Sequence, residues 1–390
     1  MITIIKNIEV YSPCYLGVKD IVIVGDKFEG IYDKVNIPNN FININVIEGK
    51  DKIIFPGFID SHVHIIGGGG EDSFKSRTPE IKLTNLTKAG ITTVIGCIGT
   101  DGICRDMSEL LAKVYSLEEE GISAFCYTGS YDVPVRTVTS NIKKDIMLIN
   151  KIIGVGEIAI SDRRSSQPSF EEITHIVAEA NVGGLLSGKA GIVHFHVGPG
   201  KRKIDMLFKL IEETEILPSQ IIPTHINRSE ELFEEGLRYV SLGGYIDLTT
   251  SSDPNYLEPT ELTASEGLKR YVDSNLPIEK ITFSSDGNGS MPKYNNKREI
   301  VGLSICSVKS LYIEVKKAII NYNIPIDTAI KVITSNVADL YRLQGKGWIK
   351  EGYSSDFVIV DKDSLDIDSV YAKGMKLVNK NEAIVKGIFE

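Results

Sequence analysis

Residues 57–71 read GFIDSHVHIIGGGGE. An apolar run ends in His62 and His64, and four glycines and Glu71 follow. On a β-strand, residues i and i+2 face the same side roughly 6.5 Å apart, so both imidazoles can reach one ion. Polar residues close many strands, however, so HxH by itself says little. Glycine favours neither helix nor strand, which puts the end of the strand at the histidines and a loop after them. The fold turns on whether other metal-capable residues close other strands in the same way.

Downstream of this stretch, short apolar runs alternate with longer helical patterns. The runs are TTVIGCIG (92–99), GISAFCYTG (121–129), IIGVGEIAI (152–160), GIVHFHVG (191–198), QIIPTHIN (220–227), GGYIDLTT (243–250) and KITFSSDG (280–287). Helix-like stretches such as DMSELLAKVYSLEEEG (106–121) and KIDMLFKLIEETE (203–215) lie between them. With IIFPGFIDSHVH (53–64) as the first, there are eight strand candidates, each followed by a connection long enough for a helix. That repeat has the count and size of an α/β TIM (β/α)8 barrel; a doubly wound sheet would not need eight units. Residues 1–55 and 345–390 instead alternate short β-branched runs with Gly and Asn turns. The two ends are expected to assemble one small β-sandwich domain beside a barrel spanning 56–344.

In a parallel barrel the strand C-termini converge on one mouth. Glu157 lies alone among apolar residues in the fourth run, His196 ends the fifth, His225 the sixth and Asp286 the eighth. With His62 and His64 they place four imidazoles and two carboxylates on one rim. A buried carboxylate is costly without a cation or strong donors, so this set reads as a metal centre. His194 shares a face with His196 one layer deeper and reads as a hydrogen-bonded barrel histidine, whereas His175 falls in a helical pattern and reads as a surface residue.

Composition narrows the partners. The 390 residues are 42% hydrophobic and 24% charged, as in ordinary globular enzymes, and the net charge of -9 argues against nucleic acid and anionic membrane surfaces. No apolar run approaches the ~18 to 20 residues that cross a bilayer. MITIIKNIEVYSP lacks a signal-peptide layout and reads as a first strand. Cys14, Cys97, Cys104, Cys126 and Cys306 are scattered without a CxxC pair, which fits reduced thiols in a cytoplasmic protein. Cys97 and Cys126 stand in apolar runs and read as core residues.

Charge also speaks to substrate. Arg164 follows Glu157 by seven residues and Arg228 follows His225 by three, so both lie in loops beyond ligand-bearing strands. A guanidinium fork suits a carboxylate, and Arg163 reads as the solvated neighbour. Glu71 offers the opposite charge, suited to an amino group. A zwitterionic, amino-acid-like substrate with an amide near the metal follows.

The strand-end ligand pattern resembles that of the amidohydrolase superfamily. GFIDSHVHIIGGGGE, TGSYDVPVRT (128–137), GVGEIAISDRRS (154–165), PTHINR (223–228) and SSDGNGS (284–290) resemble the isoaspartyl dipeptidases within it, and the likeness runs essentially end to end. It implies two zinc ions: His62 and His64 would bind one with Asp286, His196 and His225 the other, and position 157 would bridge them. The commoner pattern has a carboxylated lysine there. Glutamate is a ready-made carboxylate on a shorter stem, so a single ion per chain stays open as the alternative. The resemblance further implies a metal-bridging hydroxide, formed near neutral pH, that attacks the amide. Asp286 would act as general base and acid, and Tyr131 as the oxyanion donor. The implied substrate is a small zwitterionic isoaspartyl (β-aspartyl) dipeptide, held by Glu71, Arg164 and Arg228 with help from Gly69, Thr100 and Ser290. The glycine amides would approach its carboxylate; a phosphate loop is excluded because no GK[ST] follows. The family forms large homo-oligomers, octamers among them. Dihydroorotases, hydantoinases and N-acyl-amino-acid deacylases share the scaffold but not the Glu71, Arg164 and Arg228 set, and a non-catalytic assembly protein would lack the complete ligand set.

Overall fold

The computed structural model describes residues 1–38, 43–251, 260–294 and 300–390. Eight parallel strands follow one another through its middle: β1 (Phe58–Val63), β2 (Ile91–Gly96), β3 (Ser123–Thr128), β4 (Ile152–Ile160), β5 (Ile192–Val197), β6 (Ile221–Thr224), β7 (Ile246–Thr249) and β8 (Ile281–Ser284). β1 to β6 form one curled parallel sheet in sequence order, and β7 pairs with β8. A parallel bridge joins Val63 to Gly287 beyond β8, and the His64 amide donates to the Gly287 carbonyl at 2.8 Å. The first and last strands are therefore neighbours, which brings His64 and Asp286 together.

These strands are buried on both faces, as parallel strands between helices must be. Ile59, Ile95, Tyr127, Ile153, Ile192 and Ile222, one from each of β1 to β6, share an inner core with Tyr341 and Leu343. The connecting helices carry their own start signals. Asp106 caps Met107–Glu119 by accepting from the Ser108 and Glu109 amides, and that helix buries Met107, Leu110, Val114 and Leu117 along one stripe. Ser169 and Glu172 form a capping box for Phe170–Ser187, which Gly188 ends in a left-handed conformation.

The run 53–64 does not form one strand. It divides at Gly57 into Lys52–Pro56, which joins the terminal sheet, and β1. A Cβ on Gly57 would stand 2.1 Å from the Thr92 hydroxyl, so the chain passes β2 too closely for any side chain. Among the described residues the terminal sheet has nine strands, drawn from both ends of the sequence. Ile2–Tyr11 lies beside Lys52–Pro56, which pairs antiparallel with Phe357–Asp361. Ile53 and Phe55 share a core with Val358, Val360 and Val370 and with the outer side of the parallel strands. No helix among the described residues is long and apolar enough to cross a membrane.

Asp247 ties β6, β7 and β8 together below the mouth. Fully buried, it accepts from the hydroxyls of Thr224 at 2.7 Å and Thr282 at 2.6 Å, and from Ser284. Burial, only partly offset by these donors, raises its carboxyl to about 6. Asp247→Ala would strand three buried hydroxyls at about 1–3 kcal/mol each. We expect a stability loss of at least about 3 kcal/mol, measured as a lower denaturation midpoint in urea.

Candidate metal centre

His62 sits in β1 and His64 directly after it, both buried. Behind His62, its Nδ1 lies 3.0 Å from His194 Nε2, and His194 Nδ1 lies 3.1 Å from the Tyr341 hydroxyl. Burial, with His62 beside it, holds His194 well below the ordinary histidine value, so this deeper ring is a neutral relay that orients His62. His175 is exposed on its helix. His225 follows β6 at φ 62°, and its Nδ1 lies 2.6 Å from the Thr249 hydroxyl. Asp286 follows β8 at φ 51°. These left-handed backbones, uncommon for residues with a side chain, turn both groups back across the mouth.

Glu157 is at the centre, fully buried in β4. Its Oε2 lies 3.3 Å from His62 Nε2, 3.4 Å from His196 Nδ1 and 3.9 Å from His225 Nε2; its Oε1 lies 3.5 Å from His64 Nε2. Asp286 Oδ1 approaches His64 Nε2 at 3.1 Å and His62 Nε2 at 3.5 Å. Among the described residues, neither Glu157 oxygen has a hydrogen-bond partner, nor do His62 Nε2 and His225 Nε2. Buried polar atoms with no hydrogen-bond partner, gathered around one carboxylate, are suited to hold a cation. Two ligands at ~2.0–2.2 Å from one tetrahedral zinc stand about 3.3 Å apart, which is the spacing seen. The residues therefore fit a metal. Burial would raise the Glu157 carboxyl, but His62 and His196 outweigh it and hold it well below the usual range.

The groups expected to meet a substrate collect at Glu71. Its carboxylate receives the Thr100 hydroxyl at 3.0 Å, the Ser290 hydroxyl at 3.2 Å and Arg164 Nη1 at 3.3 Å. Gly69, at φ 72°, passes so close that a Cβ would lie 2.5 Å from the Ser76 carbonyl and 3.0 Å from Ser290 Cβ. The Tyr131 hydroxyl lies 2.8 Å from His196 Nδ1, with the Arg164 guanidinium over its ring. Burial, reinforced by Glu157, pushes this phenol well above its ordinary value, so it stays a donor. Arg228 ends the turn Ile226–Arg228 with a buried, unpartnered Nε, and Arg163 is exposed.

One expectation is corrected. The glycine run does not offer all its amides to a ligand, because Gly67 N–H donates to the His64 carbonyl at 2.8 Å and Gly68 N–H to the Thr78 hydroxyl at 2.7 Å. The run packs the loop against residues 76–78 and so delivers Glu71.

Two residues of the centre escaped the sequence reading. Cys97, directly after β2, obeys the same strand-end rule as the histidines, but its apolar neighbours pointed to the core. Its sulfur lies 3.8 Å from His64 Nδ1. Asp162 stands between Glu157 and Arg164, within a motif whose arginines drew the attention. It accepts from Arg164 Nε at 3.0 Å and Nη2 at 2.8 Å, and from His196 Nε2 at 3.0 Å. Burial would raise its carboxyl, but His196 and Arg164 hold it far below the usual range. Asp162 thus fixes a proton on His196 Nε2, freeing Nδ1 for the centre, while it aims Arg164 at Glu71. Asp162→Asn weakens both jobs. We expect a roughly ten- to hundredfold loss in metal affinity, with KM rising as Arg164 loosens, checked by metal titration and steady-state kinetics.

Residues 53–389 match the model of the amidohydrolase family. The chain belongs to the amidohydrolase family. Among solved amidohydrolases and related structures it is similar to the β-aspartyl dipeptidase of Fervidobacterium islandicum AW-1 in complex with β-Asp-Leu. The two are 45% identical, with a TM-score of 0.90 and 98% of each chain covered. A D-hydantoinase at 16% identity superposes with a TM-score of 0.69 over 99% of this chain and 97% of its own, a likeness of fold alone. An adenine deaminase of Clostridium perfringens is 24% identical over 99% of this chain, which spans 60% of that protein's length. A Staphylococcus epidermidis dihydroorotase is 35% identical over 91 residues, 23% of the chain.

Proposed function

We propose that this amidohydrolase is a zinc-dependent β-aspartyl (isoaspartyl) dipeptidase. The observation that carries the reading is the cluster at Glu71: a carboxylate gathered by Thr100, Ser290 and Arg164 on the same mouth as the metal-ligand set. The likeness to a dipeptidase solved with β-Asp-Leu supports it. His62, His64, Asp286, His196, His225 and Glu157 would hold the metal, as two ions bridged by Glu157 or as one. When bound, the metal polarises the amide carbonyl and makes water acidic enough to attack near neutral pH. Glu71 would take the free α-amino group of the substrate, and Arg164 and Arg228 its α-carboxylate. Substrate amine displaces Arg164 from Glu71, releasing the guanidinium to the carboxylate. Asp286 accepts the proton of the attacking water and passes it to the leaving amine, and the Tyr131 hydroxyl donates to the developing oxyanion.

The same reading includes a closed (β/α)8 barrel over 56–344 and a β-sandwich from 1–55 and 345–390. It also includes assembly as a homo-oligomer and, from five unbonded cysteines, a reducing cytoplasmic setting. The test is hydrolysis of β-Asp-Leu against α-Asp-Leu, with metal ions counted per chain. Preferential cleavage of the β-linked peptide by a zinc-loaded chain is expected. Equal rates on the α-linked peptide would overturn the specificity, and one zinc per chain would overturn the bridge.

A further inference from the structure

Cys97 lies where a metal ligand belongs. Its sulfur, one nitrogen each of His62 and His64 and one oxygen of Glu157 all lie within 4.8 Å of one another, and all four residues are buried. Cys97 Sγ lies 3.8 Å from His64 Nδ1, so the sulfur abuts the ring whose Nε2 faces Glu157 and Asp286. The cluster is independently marked as incomplete, because His62 Nε2 and both Glu157 oxygens are buried with no hydrogen-bond partner. Asp286 differs from its neighbours. Its side chain is 26% exposed, against 0% for His62, 7% for His64 and 1% for Glu157. The closed part of the cage is thus His62, His64, Glu157 and Cys97, and the carboxylate at its open edge is Asp286.

We propose that Cys97 is a thiolate ligand of the ion held by His62 and His64, completing a site of two imidazoles, one carboxylate and one sulfur. This rests on the metal-dependent reading above and sharpens it. The Cys97 thiol gives up its proton to solvent as the ion binds, and the sulfur lone pair forms the new bond. With sulfur as the fourth protein ligand, Asp286 is not needed to hold the ion and is left free for proton transfer. A thiolate also biases the site toward softer ions, so cadmium should compete with zinc better than at a site of imidazole and carboxylate alone.

The test uses the full-length chain with cobalt(II) in place of zinc, read by absorption. The proposal expects a sulfur-to-cobalt charge-transfer band in the near ultraviolet, lost in Cys97→Ser and kept in Cys126→Ser, whose thiol is buried behind β3 in the outer core. Visible cobalt bands without the sulfur band, or a sulfur band that survives Cys97→Ser, would overturn it. Should Cys97→Ser fail to fold, X-ray absorption at the zinc edge of the unmodified protein decides. A sulfur scatterer at about 2.3 Å supports the proposal, and a first shell of nitrogen and oxygen alone refutes it. Hydrolysis of β-Asp-Leu is scored separately: an active zinc protein with no sulfur in its shell sinks the Cys97 ligand and leaves the dipeptidase intact, whereas a sulfur-bound ion with no peptidase activity does the reverse.

Discussion

Asp286→Asn is expected to lower kcat on β-Asp-Leu by on the order of 10³- to 10⁴-fold while leaving KM nearly unchanged. The magnitude is that of losing a positioned general base and acid, about 4 to 5.5 kcal/mol of barrier. Asp286 is suited to that role by position and by charge. It is the most open of the rim carboxylates and histidines that face Glu157, and its oxygen reaches His64 Nε2 at 3.1 Å. Burial raises its carboxyl, but the His64 hydrogen bond and His62 outweigh this and keep it below the usual range, so at neutral pH it is ionised and able to take a proton. The amide of Asn has the same shape and cannot. KM should hold because the Glu71 cluster contains no atom of Asp286. Metal content, measured on the same preparation, separates the two uses of the residue: a variant that keeps its metal and loses kcat has lost the proton carrier. A variant retaining a tenth or more of the wild-type kcat would remove Asp286 from the chemistry.

The parts of the centre legible in the sequence are those that a strand dictates. Alternation fixes which residues of a parallel strand share a side, and a curled parallel sheet brings its C-terminal strand ends to one rim, so His62, His64, Glu157, His196, His225 and Asp286 could be gathered without coordinates. Loops follow no such rule. Asp162 lies only two residues from Arg164, yet nothing in the sequence says that the chain folds back so that one carboxylate serves both Arg164 and His196. Cys97 was hidden by chemistry rather than geometry, because a thiol among Ile and Val is usually an apolar filler. The glycine run was legible as a loop but not in its bonding. Whether its amides face outward depends on Thr78, ten residues beyond Gly68. Gly57 shows the same limit in the fold. An unbroken β pattern at 53–64 serves two sheets, and the division is imposed by contact with Thr92 from another strand.

Glu157 is where the largest structural consequence is expected. Glu157→Gln should reduce metal affinity by more than the ~10- to 100-fold typical of outer-shell changes, and activity should fall with it. The reason is charge. Glu157 is the carboxylate that approaches both histidine pairs, at 3.3 Å from His62, 3.5 Å from His64, 3.4 Å from His196 and 3.9 Å from His225. A neutral amide of the same shape fills the space but leaves one or two dications facing four imidazoles with only the Asp286 carboxylate and the Cys97 sulfur to balance them. It also places an NH₂ donor against nitrogens that must be bare to bind metal. Glu157→Asp is the companion, since it keeps the charge but withdraws it by one methylene from every histidine. If a bridging carboxylate is essential, both variants lose metal, and the aspartate variant retains the first ion better than the second. Metal content by mass spectrometry of the purified chains gives the count, and far-ultraviolet circular dichroism in chelator shows that the fold persists. Glu157→Gln retaining two zinc ions per chain would show that the carboxylate does not bridge, and the centre would then rest on the histidines and the groups at its edge.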